Sequence, residues 1–183
     1  MTIKKGILLA GGYGTRLHPT TLAVNKHLLN IYSKPMIYYS LSTLMLADIR
    51  EILIITLPED LQLYKNLFSD GKYLGMKISY EIQKEPKGIA ESIIIAENFI
   101  GKDDFALLLG DNFFYSENFT NILKSSINKV KGAFIFAYYV NNPQDCFDRL
   151  LNQWPRDRVI APPILGIVDK KNISPDDPTG ISA

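Results

Sequence analysis

Residues 8–17 read Leu-Leu-Ala-Gly-Gly-Tyr-Gly-Thr-Arg-Leu, so that three glycines fall within four positions between an apolar run and Arg16. Glycine adopts backbone conformations with positive φ and leaves no side chain between its N–H group and a ligand. A glycine-rich loop that follows a strand can wrap a phosphate in backbone N–H groups, and the planar guanidinium group of arginine suits phosphoryl oxygens. The stretch therefore predicts a loop that binds a nucleoside triphosphate.

The spacing of the glycines separates this loop from two other phosphate-binding loops. Its spacing is Gly-Gly-x-Gly, and no further glycine follows at the distance that the dinucleotide-binding signature requires. No Gly-Lys-Ser/Thr follows either, as it would in a Walker loop. A tight turn after a buried strand remains the alternative for a lone Gly-Gly-x-Gly. Lys26 and the string Gly110-Asp111-Asn112 favour the phosphate interpretation.

Composition limits the classes of function. The 183 residues suit one domain, with or without a short appendage, and 46% apolar and 21% charged residues are typical of a soluble globular protein. A net charge of +1 argues against nucleic acid as a partner. The apolar runs are too short to span a bilayer, and the N-terminus has no signal-peptide core. The single cysteine, Cys146, fits a cytoplasmic location.

Buried strands alternate with amphipathic helices along the first 140 residues. Residues 6–10, 105–109 and the centre of a predicted strand over residues 51–56 are continuously apolar, as in strands covered on both faces, whereas residues 76–82 alternate like a strand nearer the sheet edge. This order predicts an α/β fold with a mostly parallel, Rossmann-like sheet and helices on both faces. The remaining elements are predicted as helices over residues 36–48, 59–68, 89–99 and 118–130 and a strand over residues 133–140.

Three loops follow predicted strands and should meet at the carboxyl edge of the sheet, where such sheets bind ligands. They are the glycine loop, residues 83–88 and residues 110–111. Asp111 could begin a Mg²⁺ site or cap a turn, because Mg²⁺ needs only one or two protein carboxylates. Lys26, expected in an extended segment, could bring a charge to a phosphate or be a solvated lysine. Gln83 could pair with the edge of a nucleobase, and Gly88 would let the backbone approach that base closely. The alternative is that Gln83 is an ordinary polar loop residue.

Four long, ordered stretches carry a family resemblance. They are KGILLAGGYGTRLHPTT (5–21), NKHLLNIYSKPMIYYSLSTLMLA (25–47), Gln83 with GIAES (88–92), and LLLGDNFFY (107–115). Over about residues 3–143 the chain resembles the sugar-phosphate nucleotidylyltransferases, and most of all those that join dTTP to glucose 1-phosphate.

The resemblance implies a reaction and a role for each matched residue. dTTP and glucose 1-phosphate would give dTDP-glucose and pyrophosphate, for deoxysugar and polysaccharide synthesis, in a cytoplasmic homotetramer. Arg16 and Lys26 would be catalytic, Gln83 and Gly88 would contact thymine, and Asp111 would hold Mg²⁺. A relative that uses UTP or CTP, and a non-catalytic nucleotide-binding domain, remain alternatives. The full set of implied nucleotide-binding residues is Leu9, Gly11, Gly12, Gly14, Thr15, Arg16, Gln83, Gly88 and Asp111.

The chain departs from the family pattern in two places. His27 stands where these enzymes commonly carry glutamine, and Asn30 where they carry proline. From about residue 145 the family's next strand, its Glu-Glu-Lys-Pro motif and a second metal-binding aspartate find no match. We therefore divide the chain into a nucleotide-binding domain, 1–145, and a divergent or truncated tail, 146–183, which holds five of the ten prolines and is expected to be loop or disorder. A frameshift or recombination after about residue 144 would explain the change, and translation of the other two reading frames tests it.

Overall fold

The computed structural model describes residues 3–85, 87–127, 133–136 and 165–168. The strands are β1 (Lys5–Ala10), β2 (Asn30–Ile31), β3 (Lys34–Pro35), β4 (Glu51–Thr56), β5 (Lys77–Ile82), β6 (Phe105–Leu109), β7 (Ala133–Ile135) and β8 (Leu165–Val168). Six of them form a central sheet in the order β5-β4-β1-β6-β8-β7, and β2 and β3 form a separate two-stranded antiparallel hairpin.

Strand β1 occupies the middle of the parallel part of the sheet. It pairs in parallel with β4 on one side and with β6 on the other, and β5 pairs in parallel with β4. The chain therefore adds β4 and β5 on one side of β1 and then crosses back to add β6 on the other. Such a reversal opens a crevice at the carboxyl ends of the central strands.

Helices cover both faces of the sheet because the side chains of each strand point alternately to opposite faces. The helices are α1 (Ile37–Leu46), α2 (Leu61–Phe68), α3 (Ile89–Ile95), α4 (Glu97–Ile100) and α5 (Phe119–Ile127). Leu8, Ile54 and Leu108 belong to the apolar core under α1, α2 and α5. Ile7 and Leu107 belong to a second core under α3 and α4.

The predicted fold class is confirmed, with β5 at the edge of the sheet as the alternation of its side chains suggested. The predicted single helix over residues 89–99 is wrong, because the structure divides it at Ala96 into α3 and α4. Three successive isoleucines, 93–95, precede the break, and β-branched side chains crowd the preceding helical turn. Lys26 was expected in extended chain but lies in a short 3₁₀ helix, Lys26–Leu28.

The tail differs from expectation at residues 165–168. These residues form β8, which pairs antiparallel with both β6 and β7, whereas loop or disorder was expected throughout. Four residues are too short a run to show a period against the surrounding sequence. The rest of the tail and the predicted strand residues 137–140 lie outside the described part of the chain, and the domain boundary at residue 145 remains a prediction.

None of the helices in the described residues has the length and apolar character that a membrane crossing requires.

Candidate functional site

A cavity of about 190 Å³ opens at the carboxyl edge of the parallel sheet. The residues that follow β1, β5 and β6 meet here, as the positions of the three loops in the sequence predicted. Five of the nine implied nucleotide-binding residues line this cavity, together with Lys26. The lining residues are Leu9, Gly11, Lys26, His27, Gln83, Gly88, Ile89, Leu109 and Asp111.

The wall of the cavity contains an ion pair between Lys26 and Asp111. The Nζ atom of Lys26 lies 2.5 Å from Oδ2 of Asp111, and both side chains are largely but not fully buried. Burial by itself would raise the pKa of the Asp111 carboxyl, but the hydrogen bond and charge of Lys26 outweigh that effect and hold the pKa below its usual range. Asp111 is therefore an ionised carboxylate at the mouth of a partly closed cavity.

Gln83 forms another part of the wall and is only 1% exposed. Its Nε2 donates to the carboxylate of Glu91 over 2.6 Å and lies 3.3 Å from the carbonyl oxygen of Gly88. Its Oε1 lies over Gly11, where the Cβ of any larger residue would come within 2.8 Å of that oxygen. A larger residue at position 11 would therefore displace the end of the Gln83 side chain.

A buried polar network supports the floor of the cavity. The Oδ1 atom of Asn25 accepts from the backbone N–H of His27 over 3.0 Å and lies 2.6 Å from Nδ1 of the same residue. Its Nδ2 donates to Asp60 over 2.6 Å, and also to the carbonyl of Gly12 in the glycine loop over 3.4 Å. Tyr64 donates to the same Oδ1 from the side of α2. The network thus ties the glycine loop to the segment that carries Lys26.

Burial, reinforced by the charge of Lys26, lowers the pKa of His27 to about 4. The backbone N–H of His27 can only donate, so the Asn25 atom that faces it must be the oxygen, and Nδ1 must carry the imidazole proton. His27 is therefore a neutral imidazole whose Nε2 is an acceptor. Its ring edge packs against Gly110, where a Cβ would come within 2.9 Å of Cδ2.

The remaining predicted residues of the glycine loop lie beside the cavity. Gly14 has φ of 59° and packs against Thr21 and the Cβ of Lys26. Thr15 and Arg16 follow in a short, solvent-exposed 3₁₀ helix, Thr15–Leu17, and do not line the cavity. Gly12 lines a second cavity, of about 330 Å³, on the other side of Asn25.

Sequence reasoning did not assign Asn25, Glu91 or a cavity position for His27. The motif stretches contain all three, but only the three-dimensional contacts show that they position Lys26 and Gln83. No signal in the sequence marks Glu91, because a glutamate in the first turn of a helix is common for reasons of helix stability alone.

Among the residues that the structure describes, Asp111 is the only carboxylate in the cavity wall, and there is no group of three or more potential metal ligands. A single ionised carboxylate fits Mg²⁺, which keeps several waters and takes its other ligands from substrate phosphates. The donor set therefore suits Mg²⁺ better than Zn²⁺, which needs three or four protein ligands.

Comparison with known proteins agrees with this architecture. Residues 5–146 match the model of the nucleotidyl transferase family. The Neisseria meningitidis protein named glucose-1-phosphate thymidylyltransferase is 55% identical over 140 residues, which cover 76% of this chain and 49% of that protein. The Mycobacterium tuberculosis protein of the same name is 50% identical over 139 residues, 76% of this chain and 48% of that protein.

A solved structure shows the same fold. A Bacillus anthracis protein provisionally named glucose-1-phosphate thymidylyltransferase superimposes with a TM-score of 0.65 at 38% identity, covering 70% of this chain and 52% of its own. The chain spans about half the length of the curated relatives it matches. Because the family model matches most of the length of this chain, the chain belongs to the nucleotidyl transferase family.

Proposed function

We propose that the cavity binds a nucleoside triphosphate with Mg²⁺ and that the chain supplies the nucleotide half of a thymidylyltransferase reaction on glucose 1-phosphate. The observation that carries the proposal is the Lys26–Asp111 pair beside the glycine loop. The pair joins a cation, which would bind phosphate, to a carboxylate, which would bind a metal ion. The names of the curated relatives, which identify glucose-1-phosphate thymidylyltransferases, support this substrate pair.

The reaction is a direct displacement at phosphorus. A phosphate oxygen of glucose 1-phosphate forms a bond to the α-phosphorus of dTTP, the bond from that phosphorus to the bridging oxygen breaks, and pyrophosphate leaves with the electron pair. Mg²⁺, held by Asp111, would offset negative charge on the phosphates. Lys26 would turn from Asp111 to the phosphates and stabilise charge that develops in the transition state.

Other residues of the chain hold the nucleotide. The glycine loop would surround the triphosphate with backbone N–H groups, and Arg16, exposed beside it, would close on the phosphates from solvent. Leu9, Gly11, Gln83 and Gly88 would form the base pocket. Asn25 would keep the loop and Lys26 in register through its contacts with Gly12 and His27.

Pyrophosphate release with glucose 1-phosphate, Mg²⁺ and each of dTTP, UTP and CTP tests the proposal, with nucleotide binding measured on the same sample. We expect dTTP to bind and to give the fastest release. Removal of Mg²⁺ with EDTA should abolish release. Absence of dTTP binding would contradict the proposal.

Two alternatives rest on specific observations. A UDP-glucose pyrophosphorylase solved with UDP-glucose has a TM-score of 0.58 at 30% identity, so release fastest with UTP would assign this chain to that specificity. The chain covers only half of its relatives, so dTTP binding without release would identify a nucleotide-binding domain that needs further chain for turnover. We also propose that the protein is cytoplasmic and assembles as a homotetramer. Sedimentation equilibrium tests the assembly.

A further inference from the structure

The side-chain amide of Gln83 has one orientation that its neighbours allow. Its Nε2 faces the Oε2 atom of Glu91 at 2.6 Å and the carbonyl oxygen of Gly88 at 3.3 Å. A carbonyl and an ionised carboxylate only accept hydrogen bonds, so an amide oxygen in that position would meet two acceptors. The charge-assisted bond to Glu91 is the stronger of the two contacts.

The opposite edge of the amide therefore belongs to the cavity. With its NH₂ group held by Glu91, Gln83 directs Oε1 over Gly11, which lines the cavity. Gln83 is almost fully buried, so the amide has little room to turn while these contacts persist. A ligand that reaches this part of the wall meets a hydrogen-bond acceptor.

We propose that Glu91 is a positioning residue that sets the base preference of the cavity by fixing the orientation of Gln83. An outward Oε1 selects bases whose ring carries an N–H donor, as thymine and uracil do at N3. Cytosine has a lone pair at N3, which would face Oε1 of Gln83. Both acceptors would then lack a hydrogen bond. The inference rests on the proposed nucleotide site and adds to it the residue that distinguishes the bases.

The substitution Glu91→Gln tests this with almost no change of shape. A glutamine at position 91 can donate as well as accept, so the Gln83 amide can turn and present its NH₂ group to the cavity. Dissociation constants of dUTP and dCTP, measured with Mg²⁺ on the full chain, isolate the effect because the two nucleotides differ only at the 4-position and in the N3 proton. We expect the wild-type chain to bind dUTP at least about tenfold more tightly than dCTP, and the preference to fall about fivefold in the variant.

Glu97→Gln is the matched control, since Glu97 lies exposed in the neighbouring helix α4 and its substitution removes the same charge. This variant should keep the wild-type preference, and thermal unfolding of both variants should show that they are folded. A lowered affinity for both nucleotides at an unchanged ratio would overturn the role of Glu91, because that is the effect of a structural defect alone. If the wild-type chain binds dTTP but does not distinguish dUTP from dCTP, the inference fails while the proposed function stands; if it binds no nucleotide, both fail.

Discussion

Lys26 would exchange its contact with Asp111 for a contact with phosphate during the proposed reaction. In the structure its Nζ is bound to Asp111, and a triphosphate entering with Mg²⁺ would compete for both partners. Replacement of Lys26 by alanine leaves the Asp111 carboxylate without its cation and removes a positive charge from the reacting phosphates.

We expect Lys26→Ala to lower the rate of pyrophosphate release by about 10²–10³-fold, the usual loss for one group that stabilises transition-state charge. Single-turnover kinetics with saturating dTTP measure it. Lys72→Ala is the control, because Lys72 also pairs with an aspartate, Asp70, but on the exposed surface. Equal losses in the two variants would contradict a role for Lys26 at the phosphates.

His27 makes the free energy of unfolding depend on pH. Its pKa is about 4 in the folded chain, against 6.5 for an exposed histidine, so the unfolded chain binds more protons between these values. Stability should therefore be complete above about pH 7 and should fall as the pH decreases toward 4, by an amount on the order of 3 kcal/mol.

The comparison that isolates this effect is between the wild-type chain and His27→Gln. Urea unfolding at pH 7.5, 6.0 and 5.0 should show a steeper loss of stability for the wild type than for the variant, which has no imidazole to protonate. Parallel slopes would mean that His27 is accessible to protons in the folded chain. Asp60, whose pKa is raised by burial, contributes with the opposite sign in both proteins and cancels in the comparison.

At the scale of elements, the glycine loop is held by sterics as well as by hydrogen bonds. Gly14 has φ of 59°, and a Cβ there would lie 3.2 Å from the Cβ of Lys26 and from Cγ2 of Thr21. Gly75 has a similar φ of 68° but no atom within 4 Å of such a Cβ. An alanine would therefore be strained at either position, but only at position 14 would its methyl group also meet neighbouring atoms.

Gly14→Ala and Gly75→Ala should each lower the free energy of unfolding by about 1 kcal/mol, the cost of a left-handed alanine. Only Gly14→Ala should also weaken dTTP binding, because its new methyl group presses on Lys26. Urea unfolding and calorimetric titration measure the two effects. An unchanged dTTP affinity in Gly14→Ala would show that the loop adjusts without moving Lys26.

The strands and the carboxyl-edge cavity were predictable because they depend on local pattern. Continuous apolar runs indicated β1, β4 and β6, and the parallel order alone brings the residues after them together. The short hairpin β2-β3 and the break at Ala96 were not predictable, since two-residue strands and a one-residue break leave no period in a sequence. Strand β8 depends on pairing with β6 and β7, which are distant along the chain.

Part of the site was predictable for the same reason. Gln83 and Asp111 follow the ends of strands, Lys26 stands in a segment with few other charges, and the structure places all three in the cavity wall. The orienting contacts of Asn25 and Glu91 could not be predicted, because they are hydrogen bonds between side chains whose partners are 35 and 8 residues away. Arg16 was expected beside the phosphates and lies exposed next to the cavity.

On the scale of the whole molecule, one sheet edge combines the glycine loop, Gln83 and the Lys26–Asp111 pair, and Gly12 and Asn25 line a second cavity. We propose that the nucleotide occupies the smaller cavity, lined by Gln83 and Asp111, although the second cavity is larger. Volume is a poor guide here, because the larger cavity contains Glu59 and Asp60, and acidic side chains repel a triphosphate.

The most direct test is a titration of the ¹⁵N-labelled chain with dTTP and Mg²⁺, followed by NMR. We expect the largest shifts at the backbone amides of Gly11, Gly14, Gly88 and Asp111 and at the side-chain amide of Gln83, and no shift at Gly71 or Gly75. Shifts confined to the lining of the second cavity, such as Leu57 and Leu63, or no saturable shift at all, would contradict nucleotide binding in the smaller cavity.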